Sequence, residues 1–194
     1  PIAGYGHLDV LRLGSRLQRM GAAAMRLAPD LPTLRKHPVA LMLRSPTAVP
    51  SKHTMHRDLP RYNRYQALLL RPPGETASKT VFYFPGCGSE RLHADIGKAS
   101  VYLLLKAGMQ VVLPPPSLCC GFPLKTNAKT EEHNRKVLAN TIIFSQIQEM
   151  FRYLSFDACV VSCGTCIEEL ESTGLAEIFE APLEDVSGYV VRSG

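Results

Sequence analysis

The chain has 194 residues, 45% of them apolar, and a net charge of +5. That length suits one compact domain with an appendage, and the apolar share can supply its core. No uncharged apolar run approaches the length of a membrane span, and no secretory leader opens the sequence, so a cytoplasmic, reducing setting is expected. Pro1 stands where an initiator Met would, and 191–194 close the chain without a finishing element, which makes a piece of a longer protein the expectation.

Charge divides the chain. Residues 1–80 hold 13 Lys/Arg against 4 Asp/Glu and residues 81–194 hold 9 against 13, giving +9 and −4. All six cysteines lie between 87 and 166, whereas His7, His37, His53 and His56 fall in the basic part. Two regions are therefore expected: a basic, proline-rich helical extension or docking arm over 1–78, and a cysteine-rich domain over 79–194.

In the extension, Leu8, Val10, Leu11, Leu13, Leu17, Met20, Ala24 and Leu27 recur among arginines at helical spacing, which predicts a helix over about 7–27. Pro29, Pro32, Pro38, Pro46, Pro50, Pro60, Pro72 and Pro73 then break any long element, leaving pieces suited to wrapping a partner. The basic stretch 52–57 has the charge to meet nucleic acid or an anionic lipid surface. Only Tyr62 and Tyr65 supply aromatic interleaving, and no recognised nucleic-acid motif accompanies them. A solvated or partner-facing arm is favoured: no nucleic-acid partner and no transmembrane span are expected, with peripheral membrane contact kept open.

From residue 80 the pattern is regular. Thr80-Val81-Phe82-Tyr83-Phe84 reads as a strand closed by Pro85-Gly86, and Ser89 and Glu90 can cap a helix carrying Leu92, Ile96, Ala99, Leu103 and Leu104. Residues 109–113 make a second strand, stopped by Pro114-Pro115-Pro116. A loop over 117–123 leads to a helix over about 130–154, with Ile143, Ile147, Met150, Phe151 and Leu154 as its apolar stripe. Residues 157–162 make a third strand, followed at once by Cys163-Gly164-Thr165-Cys166 and a helix to Glu171. Alternation of this kind predicts an α/β fold, an open parallel sheet with helices on both faces.

In such a sheet ligands bind outside the carboxyl ends of the strands. Cys87, Cys119, Cys120, Cys163 and Cys166 each follow a predicted strand, so one site can collect all five. Gly86, Gly88, Gly121 and Gly164 beside them would let the backbone approach an inorganic core and offer amide donors. Thiolates select iron–sulfur clusters, zinc or copper(I). A structural zinc needs four ligands, so the surplus favours a cluster. A thiol–disulfide site would use the C-x-x-C pair and leave three cysteines unexplained. Cys159 lies inside the third strand and reads as a small buried hydrophobe. His93 and His133 could face the site as proton donors, though surface or locally bonded roles are favoured. Lys125 and Lys129 either attract an anionic substrate or are solvated helix-start lysines.

The segments Phe84-Pro85-Gly86-Cys87-Gly88, Leu118-Cys119-Cys120-Gly121-Phe122-Pro123 and Val161-Ser162-Cys163-Gly164-Thr165-Cys166 resemble the cysteine-rich CCG domain of heterodisulfide reductase B-type subunits and of glycolate and lactate oxidase iron–sulfur subunits. The wording is most similar to the carboxy-terminal module of large bacterial FAD-linked oxidases. The resemblance covers about residues 79–175 and implies a Rossmann- or flavodoxin-like domain. It also implies a noncubane [4Fe-4S] cluster held by Cys87, Cys119, Cys120, Cys163 and Cys166. The function implied is an electron-transfer module of an oxidoreductase, working with an FAD-linked 2-hydroxy-acid (lactate- or glycolate-type) dehydrogenase or a heterodisulfide-reductase-like partner. Two departures bear on this: a single C-C-G copy is present, and Cys120 and Cys163 stand farther apart than is usual in the family. No ferredoxin-type C-x-x-C-x-x-C run or flavin site is visible, so FAD and further clusters are expected in a partner flavoprotein or ferredoxin-type domain or subunit. The alternative is a structural zinc-binding interaction module.

Overall fold

The computed structural model describes residues 8–27, 49–63, 65–74 and 77–193. The chain divides into two compact units, Pro1–Lys52 and His53–Gly194. In the first, helix α1 (Leu8–Leu27) forms where the apolar spacing predicts it. His7, His37, Pro29, Pro32, Pro38 and Pro46 lie outside the described residues.

The second unit is built on a five-stranded sheet in the order β1-β3-β2-β4-β5. Its strands are β1 (Leu68–Leu70), β2 (Lys79–Phe84), β3 (Met109–Leu113), β4 (Ala158–Val161) and β5 (Leu183–Asp185). β2 runs parallel to both β3 and β4, with Val81 opposite Val111 and Ala158, and β4 runs parallel to β5. One edge departs from the all-parallel expectation: β1 is antiparallel to β3, Leu69 pairing with Val112. β1 lies in the stretch that the charge pattern groups with the extension, and it completes the sheet edge beside β3.

The helices of this unit are α2 (Ala94–Lys106), α3 (Phe122–Thr126), α4 (Thr130–Met150), α5 (Gly164–Ser172), α6 (Leu175–Phe179) and α7 (Val186–Ser193). A 3₁₀ turn, Met55–Asp58, and a π turn, Gly88–Leu92, join them. Alternation along the strands sorts their side chains onto two faces. Val81, Tyr83, Val111, Leu113, Ala158 and Val160 pack with Met55, Val101, Leu104 and Tyr189 on one face. Phe82, Phe84, Val112, Cys159 and Val161 pack with Phe144, Ile147, Leu170 and Phe179 on the other. Both faces are thus covered by helices, which is why the central strands read as continuous apolar runs. Phe82 stacks on Phe179 with ring centroids 4.3 Å apart, and Phe144 meets Phe82 edge-on at 5.6 Å.

Helix α2 turns a different face inward from the one expected. On α2, Ile96 and Leu103 are exposed, and Ala94, Gly97, Ser100, Val101 and Leu104 are buried. Small residues set that choice, because the Gly97 backbone is pressed against Ser89 and Met55 too closely to admit a Cβ. On α4 the expected stripe holds, with Ile147 and Phe151 buried and Ile143 and Leu154 packed against the same core, except that Met150 is exposed and Asn140 and Phe144 join the buried side. The helix ends at Met150, and Phe151 and Leu154 follow in the turn beyond it.

Candidate metal centre

β2 lies between β3 and β4, so the loops leaving their carboxyl ends are neighbours on one edge of the sheet. Pro85-Gly86-Cys87 leaves β2, the Pro114-Pro115-Pro116 stop after β3 leads to Cys119-Cys120-Gly121, and Ser162-Cys163 leaves β4 into α5. Proline and glycine end β2, and prolines end β3, before their thiols appear.

Cys119 Sγ lies 3.7 Å from Cys87 Sγ, and Cys166 Sγ lies 3.5 Å from Cys120 Sγ. Cys119 and Cys120 also interact directly, as do Cys163 and Cys166. The sulfurs therefore form one string, Cys87, Cys119, Cys120, Cys166, Cys163. Its middle three members are buried and its ends half-buried. Among the described residues, no group of three or more His, Cys, Asp or Glu side chains stands as a ready-made cage for one ion. The sixth cysteine, Cys159, is fully buried on β4 within the aromatic core, and burial pushes its thiol up.

Ionisation alternates from Cys87 to Cys166. Hydrogen bonds with the Cys120 and Cys87 thiols hold Cys119 well below the usual thiol range, with help from the Gly121 amide and the nearby Lys136 charge. The partners move the other way: Cys87 is raised by Cys119 and by burial, and Cys120 by Cys119 and Cys166. Cys166 is lowered by its bond with Cys120 against the opposing effect of burial. Thiolate is the form that binds soft metals, and Cys119 and Cys166 favour it.

The four nearby glycines differ. Gly86 has φ +61, and a Cβ there would lie 3.0 Å from Cys166 Sγ. Gly121 has φ +107 and backs onto the His133 ring. Gly88 and Gly164 face open space.

Polar side chains tie the three loops together. Ser162 Oγ, beside Cys163, lies 2.9 Å from Tyr83 Oη and 2.7 Å from Ser89 Oγ, two residues past Cys87. Buried Glu90 accepts the Ser117 N–H at 2.7 Å, joining the Cys87 loop to the loop after β3. Buried Asn140 donates to the Cys119 carbonyl at 2.9 Å. Glu169, fully buried on α5, meets His133 Nε2 at 2.5 Å and Lys125 Nζ at 3.2 Å. Burial works against its ionisation, but His133 and Lys125 outweigh it and hold the carboxyl below its ordinary value.

Of the histidines weighed from sequence, His133 is thus a locally bonded residue, and His93 marks the joint between the π turn and α2, its N–H donating to Gly88 O at 2.8 Å. Lys129 pairs with Glu132 on the exposed start of α4 at 3.1 Å. Sequence reasoning missed Glu169 and Asn140. Their signal was present: each is a polar residue on a buried stripe, Glu169 with Cys166 and Leu170, Asn140 with Phe144 and Ile147.

Residues 81–171 match the family described as the cysteine-rich domain CCG. An uncharacterised iron–sulfur protein of Methanococcus maripaludis is 25% identical over 120 residues, 62% of this chain and 22% of that protein. Another, of Methanocaldococcus jannaschii, is 25% identical over 122 residues, 63% of this chain and 23% of that protein. A probable glycolate oxidase iron–sulfur subunit of Bacillus subtilis is 29% identical over 150 residues, 77% of this chain and 30% of that protein. The chain spans less than a third of the length of each of these relatives. No solved structure matches it. Among the described residues no helix is long and apolar enough to cross a membrane.

Proposed function

We propose that this chain, whose residues 81–171 match the cysteine-rich CCG family, is the iron–sulfur module of an oxidoreductase. Its ligands are Cys87, Cys119, Cys120, Cys163 and Cys166, and the cluster is of the noncubane [4Fe-4S] type. The observation that carries this reading is the continuous string of five thiols on one sheet edge, with Sγ contacts of 3.5 and 3.7 Å.

The donor set fits such a group. It is all sulfur, the soft choice for iron–sulfur clusters, and it exceeds the four ligands of a tetrahedral structural zinc. The bound cluster would supply one-electron transfer. The chain's own residues do the rest. Gly86 and Gly121 give the backbone close approach, and the Gly121 and Phe122 amides donate toward the Cys119 and Cys120 sulfurs. Ser162, Ser89 and Tyr83 hold the Cys87 and Cys163 loops in mutual register. Lys136 places a positive charge near Cys119 that offsets the accumulation of thiolates.

The organic chemistry belongs to a partner. Similarity to a probable glycolate oxidase iron–sulfur subunit supports an FAD-linked 2-hydroxy-acid dehydrogenase, of lactate or glycolate type, as the electron donor. The flavin and any ferredoxin-type clusters then lie in other domains or subunits, and the assembly works in the reducing cytoplasm, where free thiolates persist.

The test is the iron, sulfide and zinc content of anaerobically purified protein, with electron paramagnetic resonance in oxidised and reduced states. About four iron and four sulfide per chain with a redox-active signal are expected. Serine at Cys119 or Cys163 should abolish retention, and alanine at Cys159 should not. Zinc without iron, persisting through attempted reconstitution, would move the chain to a structural interaction module. Equal iron loss in all three variants would sink the ligand assignment.

A further inference from the structure

We propose that Glu169, gripped by His133 and Lys125, is a positioning residue that fixes the separation between the C-C-G loop and the C-x-x-C helix. The role in cluster binding rests on the iron–sulfur reading above; the geometry does not. Glu169 is a carboxylate with no solvent exposure. Burying such a charge is costly unless it is paired and hydrogen-bonded, so a residue of this kind commits its surroundings to one arrangement. Both carboxylate oxygens are used: Oε1 takes His133 Nε2 at 2.5 Å and Oε2 takes Lys125 Nζ at 3.2 Å.

Each member of this triad sits close to ligand-bearing backbone. Glu169 lies one turn past Cys166 on α5, and Lys125 lies on α3, which opens directly after Gly121. His133 begins α4, and its ring stands where a Cβ on Gly121 would meet it at 3.3 Å. Two turns along the same helix, Asn140 holds the Cys119 carbonyl at 2.9 Å. Helix α4 therefore grips the C-C-G loop at Cys119 and at Gly121, and Glu169 ties α5 to that grip. The contact that crosses the joint is the 3.5 Å approach of Cys166 Sγ to Cys120 Sγ.

Packing alone does not hold the joint. An open groove of about 400 Å³, lined by Lys125, His133, Val137, Thr141, Glu169 and Ser172, separates α4 from α5 at this level. Apolar contact is non-directional, whereas charge-assisted hydrogen bonds fix distance and orientation. The triad supplies that direction across space that side chains leave unfilled.

The test uses the metal-free protein, oxidised by limiting diamide, with disulfides mapped by mass spectrometry. Two thiols pass two electrons and two protons to each diamide, and the Cys120–Cys166 and Cys87–Cys119 disulfides are counted in the same molecules. Glu169→Ala is expected to slow Cys120–Cys166 closure about tenfold, in keeping with the effect of residues that orient metal ligands. Closure of Cys87–Cys119 should stay within about twofold of wild type, because no member of the triad bonds either residue. Glu169→Gln, which keeps the shape and an acceptor for His133, should recover part of the rate. If Glu169→Ala does not fold, Lys125→Met carries the same selective slowing to a smaller extent. Equal slowing of both disulfides in a folded variant, or no slowing of either, overturns the proposal. Metal analysis of the wild type decides the other question: a protein that takes no iron but shows the selective slowing refutes the cluster reading and upholds the brace. A protein that takes iron without the selective slowing refutes the brace alone.

Discussion

Replacing Gly86 by alanine perturbs the site at the point where backbone conformation and thiol position meet. Gly86 has φ +61, and its added Cβ would stand 3.0 Å from Cys166 Sγ and 3.4 Å from Phe84 Cε1. An L-residue in the left-handed region costs roughly 1–2 kcal/mol. Overpacking a buried contact adds about 1 kcal/mol or more, because neither Cys166 nor the fully buried Phe84 has room to retreat. The expected loss is therefore roughly 2–4 kcal/mol. For a domain of this size, a fall in Tm of about 2–4 °C accompanies each kcal/mol. Urea denaturation of the metal-free protein, followed by far-ultraviolet circular dichroism, should show a lower midpoint with an unchanged slope. Gly86→Asn separates the two contributions, since asparagine tolerates the left-handed region but still crowds Cys166. Gly88→Ala is the control: its Cβ would meet nothing within 4 Å and its φ is not positive, so a change within about 0.5 kcal/mol is expected. A Gly86→Ala protein as stable as wild type, or a Gly88→Ala protein equally impaired, would refute the reasoning.

Gly97→Ala would place a Cβ 2.5 Å from the Ser89 carbonyl oxygen and 2.6 Å from Met55 Sδ; backbone cannot yield as a side chain does, so a loss of roughly 1–3 kcal/mol in the same denaturation assay is expected. Phe144→Ala removes the ring that meets both Phe82 and Phe84 edge-on, at 5.6 and 5.8 Å, and should cost about 3–5 kcal/mol. Cys159→Ala leaves a small cavity in a fully buried position. It should lower stability by about 1–2 kcal/mol, because only a sulfur is removed, and leave the iron content unchanged. Glu169 gives the pH dependence: its carboxyl is depressed below the ordinary 4.5 in the folded chain. The unfolded chain therefore binds the proton first as pH falls. The stabilisation is complete above about 4.5 and is lost as the pH drops through the folded value. The gap in urea midpoint between wild type and Glu169→Gln should be constant near neutrality and narrow in acid; a gap that widens in acid would contradict the pairing.

Where local chemistry punctuates the chain, the fold was legible. Pro85-Gly86 and Pro114-Pro115-Pro116 stop β2 and β3, and Gly164 opens the helix after β4, so β2, β3, β4 and the loops after them stand close to where the pattern places them. β1 and β5 were not legible, because three residues are too few to display a period of two, and their pairing is decided by the exposed flanks of β3 and β4. The inward face of α2, and the places of Met150 and Asn140 on α4, were misjudged for one reason. Large apolar residues were counted toward the core, but Gly97, Ser100 and Asn140 are buried because they permit close approach or bond the loop backbone, while Ile96, Leu103 and Met150 are left outside. Glu169 escaped notice because it is one of three acids in a short helix, and such residues normally point to solvent. Only the Cys166, Glu169, Leu170 spacing on one stripe marks it as internal.

The adjacency of Cys119 and Cys120 follows from the same geometry. Neighbouring residues of a non-helical segment project to different sides of the backbone. Cys119 turns toward Cys87 on the loop of β2, and Cys120 turns toward Cys166 at the start of the helix after β4. β3 lies beside β2 and is separated from β4 by it, so a single thiol from its loop could not touch both neighbours' sulfurs at contact distance. The pair does so, and Gly121, at φ +107, reverses the chain at once into α3, with its amide facing the Cys119 sulfur. Without that reversal Lys125 would not reach Glu169. The C-C-G triplet thus has two consequences: two adjacent cysteines join thiols from three strands, and the glycine places the helix that helps hold them.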